Sequence, residues 1–131
     1  MKYIYTAVIN KISDDYYECS VPDLPGCSTS GSSLDDAIDM ITDATSGWLV
    51  VNEDKGNDIP SPTAQSDIDA SSDTFKTLIR VDTIAYRAAT DTRSVRKNVS
   101  LPAWMATMAD KYRLNCSKLL QEAITERLNA G

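Results

Sequence analysis

The sequence contains no histidine. That absence removes the commonest general base near neutral pH and the commonest nitrogen ligand of metal sites, so any hydrolytic chemistry would have to run on carboxylates alone. Cysteine is scarce: Cys19, Cys27 and Cys116 are odd in number and lack metal-ligand spacing. They read as reduced thiols, not as a disulfide framework. No apolar run reaches the roughly 18 residues that a membrane-spanning helix needs. The opening Met1-Lys2-Tyr3-Ile4-Tyr5-Thr6 alternates in character and lacks the continuous apolar stretch of a signal peptide. Together these absences predict a cytoplasmic protein that is not an enzyme, holds no cofactor or metal and has no membrane partner.

Bases are nearly missing from one half of the chain. Residues 1–73 carry three (Lys2, Lys11, Lys55) against fourteen acids, a balance of −11, whereas residues 74–131 carry ten against five, a balance of +5. An acidic front and a basic back suit two partners of opposite charge. The 131 residues, 42% of them apolar, are enough for one medium domain or two small ones.

Patterning predicts an α+β chain. Tyr3, Tyr5, Ala7 and Ile9 alternate with Ile4, Thr6, Val8 and Asn10 as in a strand, residues 11–15 supply turn chemistry, and residues 16–21 read as the return strand of a hairpin. Pro22-Asp23-Leu24-Pro25-Gly26 breaks regular structure, and residues 27–30 can form a short third strand. A helix follows, with Ser32 and Ser33 as candidate N-caps and Asp35 and Asp36 at capping-box distance. Leu34, Ala37, Ile38, Ile41, Ala44, Thr45 and Trp48 make its apolar stripe, and Asp35, Asp36, Asp39 and Asp43 its acidic one. Residues 52–73, rich in Asp, Ser, Pro, Gly and Asn, read as a mobile loop, and residues 77–82 as a last strand. The order over the first ninety residues is therefore β-β-β-α-β, with a linker at 90–93. Beyond it come a period-two segment at 95–101, a helix from Pro102 to about Tyr112 or Arg113, a break capped by Asn115, and a helix to the end.

The run Val21-Pro22-Asp23-Leu24-Pro25-Gly26-Cys27-Ser28-Thr29-Ser30-Gly31, then Ser33-Leu34-Asp35-Asp36-Ala37 and the later Ile59-Pro60-Ser61-Pro62, resembles the signature of the HicB antitoxin family. The resemblance implies a partial ribonuclease H-like domain over residues 1–91 that binds and neutralises a HicA-type, mRNA-cleaving toxin. It makes Asp23, Leu24, Pro25, Asp35, Asp36, Asp39 and Asp43 the candidate toxin-facing residues. A metal-dependent ribonuclease is the competing reading, with Asp14, Asp15, Asp23, Asp35 and Asp36 as candidate ligands; two-metal hydrolysis needs such carboxylates to converge. Cys27 has no histidine to activate it and reads as a small buried residue.

Residues 94–129 resemble a ribbon-helix-helix DNA-binding domain, which implies operator binding and autoregulation of a toxin-antitoxin operon. About 36 residues are too few to bury a core alone, and a lone strand has two unpaired edges. Two chains pairing their strands and helices remove both defects, giving a homodimer or a higher oligomer built from it. Val95, Val99 and Leu101 then face a core completed by Met105, Met108, Leu120 and Ile124, with Trp104, Tyr112, Leu119 and Leu128 beside them. Arg96, Asn98 and Ser100 face outward as base-reading residues of a two-stranded ribbon in the DNA major groove. Lys97 falls on the apolar side and is expected to snorkel toward phosphate, which Asn115, Cys116, Ser117 and Lys118 also hold at the last helix's N-terminus. The family often has glycine in the turn before that helix, where this chain has Arg113 or uses Asn115 instead. A stand-alone repressor without a toxin remains the alternative to the antitoxin reading.

Overall fold

In a computed structural model, which describes residues 1–68 and 73–130, the expected α+β class is found. The elements are β1 (Lys2–Ser13), β2 (Tyr16–Ser20), β3 (Ser28–Gly31), α1 (Leu34–Asp54), a 3₁₀ turn (Gln65–Asp67), β4 (Thr74–Asp82), α2 (Thr83–Thr90), α3 (Ala103–Lys111) and α4 (Cys116–Ala130). The strands form one antiparallel sheet in the order β3-β2-β1-β4. Because side chains alternate along a strand, Tyr5, Ala7 and Ile9 of β1 share the face of Ile79 and Val81 of β4. Against that face α1 lays Ala37, Ile41 and Leu49, and all eight side chains are buried.

Residues 11–13, expected in a turn, instead prolong β1: Lys11 pairs with Tyr17 and Ser13 with Tyr16, and the register slips between them. A bulge absorbs the extra residue and leaves Asp14 and Asp15 as the turn itself. The Ser33 hydroxyl caps α1 by accepting from the Asp36 N–H at 3.0 Å, and the Asp36 carboxylate accepts from the Ser32 N–H at 2.8 Å. Close contact between β3 and α1 requires glycine at residue 31, where a Cβ would lie 2.5 Å from the Ala37 nitrogen. The buried stripe starts at that contact, so Leu34, expected on it, precedes it and stays 38% exposed.

The segment read as a mobile loop over 52–73 is neither wholly loop nor unanchored. Residues 52–54 belong to α1 and residues 65–67 to the 3₁₀ turn. Tyr5 donates its hydroxyl to the Pro60 carbonyl at 2.6 Å, and Asp23 accepts from the Thr63 N–H and hydroxyl at 2.8 and 2.6 Å. Lys76 donates to the Gln65 and Ile68 carbonyls, while Ile59 packs against the core. Polar residues that read locally as loop chemistry are thus spent on tying the segment to the sheet. The rest of that expectation, residues 69–72, lies outside the described residues.

Helix α2 occupies residues expected to lead into a linker. Asp82 caps it, its carboxylate accepting from the Ile84 and Ala85 N–H groups. A three-way contact fixes α2 on the end of α1: Glu53 accepts from the Tyr3 hydroxyl at 2.8 Å, from Thr83 at 3.2 Å and from Arg87 at 3.2 Å, and Arg87 also meets Asp54 at 2.9 Å. Burial, then the hydrogen bond and charge of Glu53, push the Tyr3 phenol up to about 12.

Residues 91–102 form neither helix nor strand in the single chain. The strand expected at 95–101 is therefore absent, and a ladder there would take a second strand. Pro102 stands as the N-cap of α3, one residue before its first turn. The helix closes with the Leu114 N–H on the Ala109 carbonyl at 2.9 Å and the Arg113 N–H on the Asp110 carbonyl at 3.2 Å. This closure places Arg113 at φ +51°, a left-handed conformation that costs a side chain with a Cβ about 1 kcal/mol.

Two stability predictions follow from this geometry. Arg113→Gly relieves the turn and should stabilise the protein by about 1 kcal/mol, read as a higher urea midpoint at unchanged slope. The Tyr3 phenol titrates later in the folded chain than its ordinary 10.0, so its contribution is complete below pH 10 and is lost as pH rises toward 12. Tyr3→Phe should flatten that alkaline loss in denaturation curves recorded between those two values.

Candidate functional site

The acidic face of α1 is the first surface. Asp35, Asp39 and Asp43 recur every fourth residue, so they share one side of the helix, and all three are exposed. Met40, 43% exposed, supplies apolar area on the same helix. The other carboxylates expected to face a partner have local work. Asp36 is held by Ser32, and Asp23 by Thr63. Leu24 is 1% exposed, so its side chain is a core residue and cannot touch a partner, contrary to expectation. The reason is the fold of the Pro22–Gly26 turn, where the Leu24 N–H bonds the Val21 carbonyl and the Cys27 N–H bonds the Leu24 carbonyl, turning Leu24 inward. Pro25 remains exposed, and its carbonyl accepts from the Trp48 indole N–H at 3.0 Å. The proline-rich turn is therefore bolted to α1, which it holds at a set position on the sheet.

The carboxylates weighed as metal ligands are placed apart by element. Asp14 pairs with Lys11 and Asp15 accepts from Ser13 in the hairpin turn, while Asp35 and Asp36 sit at the start of α1. Among the described residues no group of three or more His, Cys, Asp or Glu side chains is arranged to hold a metal ion. The Cys27 thiol is buried 3.5 Å from the Thr45 hydroxyl, and burial pushes its pKa up, as it does for Cys19. Both thiols are core.

The second surface lies on the C-terminal helices. Val99, Leu101, Met105, Met108, Leu114 and Leu120 line one groove of about 470 Å³. Lys97 lines it too, in step with its place on the apolar side of the alternation. Neither Arg96, Asn98 nor Ser100 lines it, and all three are exposed. Alternate residues from 96 to 101 therefore separate into those that line the groove and those that do not, although they form no strand. Val95 and Ile124, expected in the same core, are 89% and 48% exposed and stand outside the groove in one chain. Trp104 at 66% and Tyr112 at 63% are large apolar side chains exposed on the same helical segment.

At the start of α4, Asn115 acts as the cap, its side-chain oxygen accepting from the Lys118 N–H at 3.1 Å. The first N–H groups of the helix, at Cys116 and Ser117, point out of the helix end as every α-helix requires. Among the described residues no carboxylate lies within salt-bridge distance of Arg96, Lys97, Arg113 or Lys118, whereas Arg93 is held by Asp91 at 2.9 Å. What sequence reasoning missed is a polar hollow of about 470 Å³ on the sheet, lined by Asn10, Tyr16, Glu18, Ser20, Ser28 and Ser30. Strand alternation carried the signal, since Glu18 and Ser20 flank the inward Cys19.

The sequence model of a family described as HicB_like antitoxin of bacterial toxin-antitoxin system matches residues 5–123. The antitoxin HicB of Burkholderia pseudomallei is similar in structure, with a TM-score of 0.54 and 26% identity over 98% of each chain. A chain of a toxin-antitoxin complex from Streptococcus pneumoniae shares the fold at a TM-score of 0.61 and 18% identity, covering 97% of this chain and 99% of that one. A UPF0150 protein of Archaeoglobus fulgidus is 39% identical over 49 residues, 37% of this chain and 71% of the relative. The chain belongs to the HicB-like antitoxin family of bacterial toxin-antitoxin systems.

Proposed function

We propose that the chain neutralises a HicA-type toxin through residues 1–91, a partial ribonuclease H-like unit, and represses its own operon through residues 92–131, a ribbon-helix-helix homodimer that grips operator DNA. The observation that carries the second half is the uncovered groove of Val99, Leu101, Met105, Met108 and Leu120, set against an outer row of Arg96, Asn98 and Ser100. A second copy covers the groove by pairing residues 95–101 antiparallel, which supplies the missing ladder and sends the outer row into a major groove. Arg96 then donates to guanine and Asn98 bridges adenine, while Lys97, Asn115, Cys116, Ser117 and Lys118 hold phosphates. The role is regulatory, not catalytic.

Toxin capture rests on charge and on the rigidity of α1. A basic ribonuclease is steered to the side of α1 that presents Asp35, Asp39 and Asp43, and Pro25 sits beside that helix through its bond to Trp48. Apolar contact, with Met40 to hand, must then set how long the complex lasts.

Each half has its own test. Replacing Arg96 and Asn98 together by alanine should remove sequence-specific operator binding, at about 1–3 kcal/mol per lost base contact, while the dimer persists in sedimentation. Wild-type operator affinity in that double variant would overturn the DNA-facing row. Replacing Asp35, Asp39 and Asp43 by asparagine should slow toxin association on the order of tenfold at low salt, with a smaller change in dissociation. An unaltered association rate in stopped-flow measurements would move the toxin to another face.

A further inference from the structure

The end of α4 returns to the unit on which the chain began. Leu128 lines a hollow of about 430 Å³ walled by Val50 and Asp54 of α1 and by Ile84, Arg87 and Ala88 of α2. It also lines a neighbouring hollow of about 460 Å³ with Met1, Lys2 and Tyr3 at the start of β1. The groove assigned to the second copy does not include Leu128, so this side chain has an apolar neighbourhood of its own. Charge agrees with the placement: the last carbonyls of a helix carry partial negative charge, and Lys2 stands beside Asn129 and Ala130 there.

We propose that the last turn of α4 docks in this saddle between the start of β1 and α2, and that the seat couples toxin occupancy to operator binding. The proposal rests on the two-partner reading above. The saddle wall is mechanically tied to the toxin-facing helix, because Arg87 of α2 is clamped by Glu53 and Asp54 at the far end of α1. Tyr3, in the other hollow, bonds the same Glu53. A partner that shifts or stiffens α1 therefore acts on both walls that hold Leu128. The seat is shallow, with Leu128 still 45% exposed, which suits a contact whose gain or loss is within reach of a partner's binding energy.

The test uses the antitoxin of residues 1–131, a purified HicA-type toxin in an inactivated form, and a duplex of the promoter region. Leu128→Asp should empty the seat, with Leu128→Ser as the milder change should the first disturb the dimer, and Leu128→Met should keep it. In the toxin-free protein, amide exchange in α2 should quicken in the Asp and Ser variants and match wild type in the Met variant. Operator affinity measured with and without saturating toxin should differ by about fivefold or more for wild type, in either direction, and by less than about twofold for Leu128→Asp. Unchanged α2 exchange would overturn the docked seat, and an unchanged toxin effect would overturn the coupling. Failure of the wild-type protein to bind the duplex at all would instead remove the operator reading, with the exchange experiment still deciding the seat.

Discussion

An apolar face that its own chain does not cover is the constraint on which the architecture turns. The N-terminal sheet solves the ordinary problem by itself: one face is apolar, α1 is amphipathic, and Tyr5, Ile9, Ile41 and Leu49 disappear between them. Helices α3 and α4 have no sheet of their own to lie on. Among their described residues only Ala109 is buried. Lone helices of nine and fifteen residues with that much apolar surface in water are not a stable arrangement. On the proposed reading a second chain closes that core, so the deficit bears on stoichiometry as much as on stability. In the proposed regulator the same event that completes the core also builds the DNA-reading ribbon, so no half-formed monomer can present it.

The turn at Pro22–Gly26 plays the corresponding part in the N-terminal unit. Gly26 supplies φ +78°, Leu24 plugs the core, Pro25 receives the Trp48 indole and Asp23 receives Thr63. One short motif thus locks a strand end, the middle of α1 and the long connection to β4. Its residues look functional in the sequence because they are unusual in composition, yet four of the five are spent on holding the scaffold. The free carboxylates lie elsewhere, on the outer side of α1, where a rigid helix presents them at a fixed spacing. Surface charge of this kind sets encounter rates, and its effect depends on the scaffold keeping the helix in place.

What could be read in advance follows from how local each signal is. Alternation marked β1, the 3.6-residue stripe and the Ser33 cap marked α1, and Asn115 marked the start of α4, since each depends on neighbours within a turn or two. The α2 helix was missed although Asp82 caps it in the usual way, because the strand pattern ran straight into it and the alanines at 85, 88 and 89 carry no strong stripe. The anchoring of residues 55–68 was invisible for a different reason: Tyr5 and Pro60, or Asp23 and Thr63, are partners only after the sheet has formed. Leu24 was misassigned because a residue in a polar, proline-rich run gives no sign of its direction until the turn's hydrogen bonds are known. Arg113, by contrast, was flagged as a departure from glycine, and the left-handed φ shows why glycine would suit that position.

Charge segregation has a consequence for choosing between partners. On the proposed reading, DNA approaching the acidic unit and a basic toxin approaching the C-terminal unit are each repelled by the wrong end of the molecule. Specificity is a difference of affinities, and repulsion from the wrong site adds to it as much as attraction at the right one. A chain of mixed charge in each half would lose both effects. At the joint between them Asp91 neutralises Arg93, while Arg96, Lys97 and Lys118 beyond it meet no carboxylate of the chain among the described residues. The unpaired cations therefore stand where a polyanion can replace their counterions, and the unpaired carboxylates of α1 stand on the other unit, free for a cationic partner.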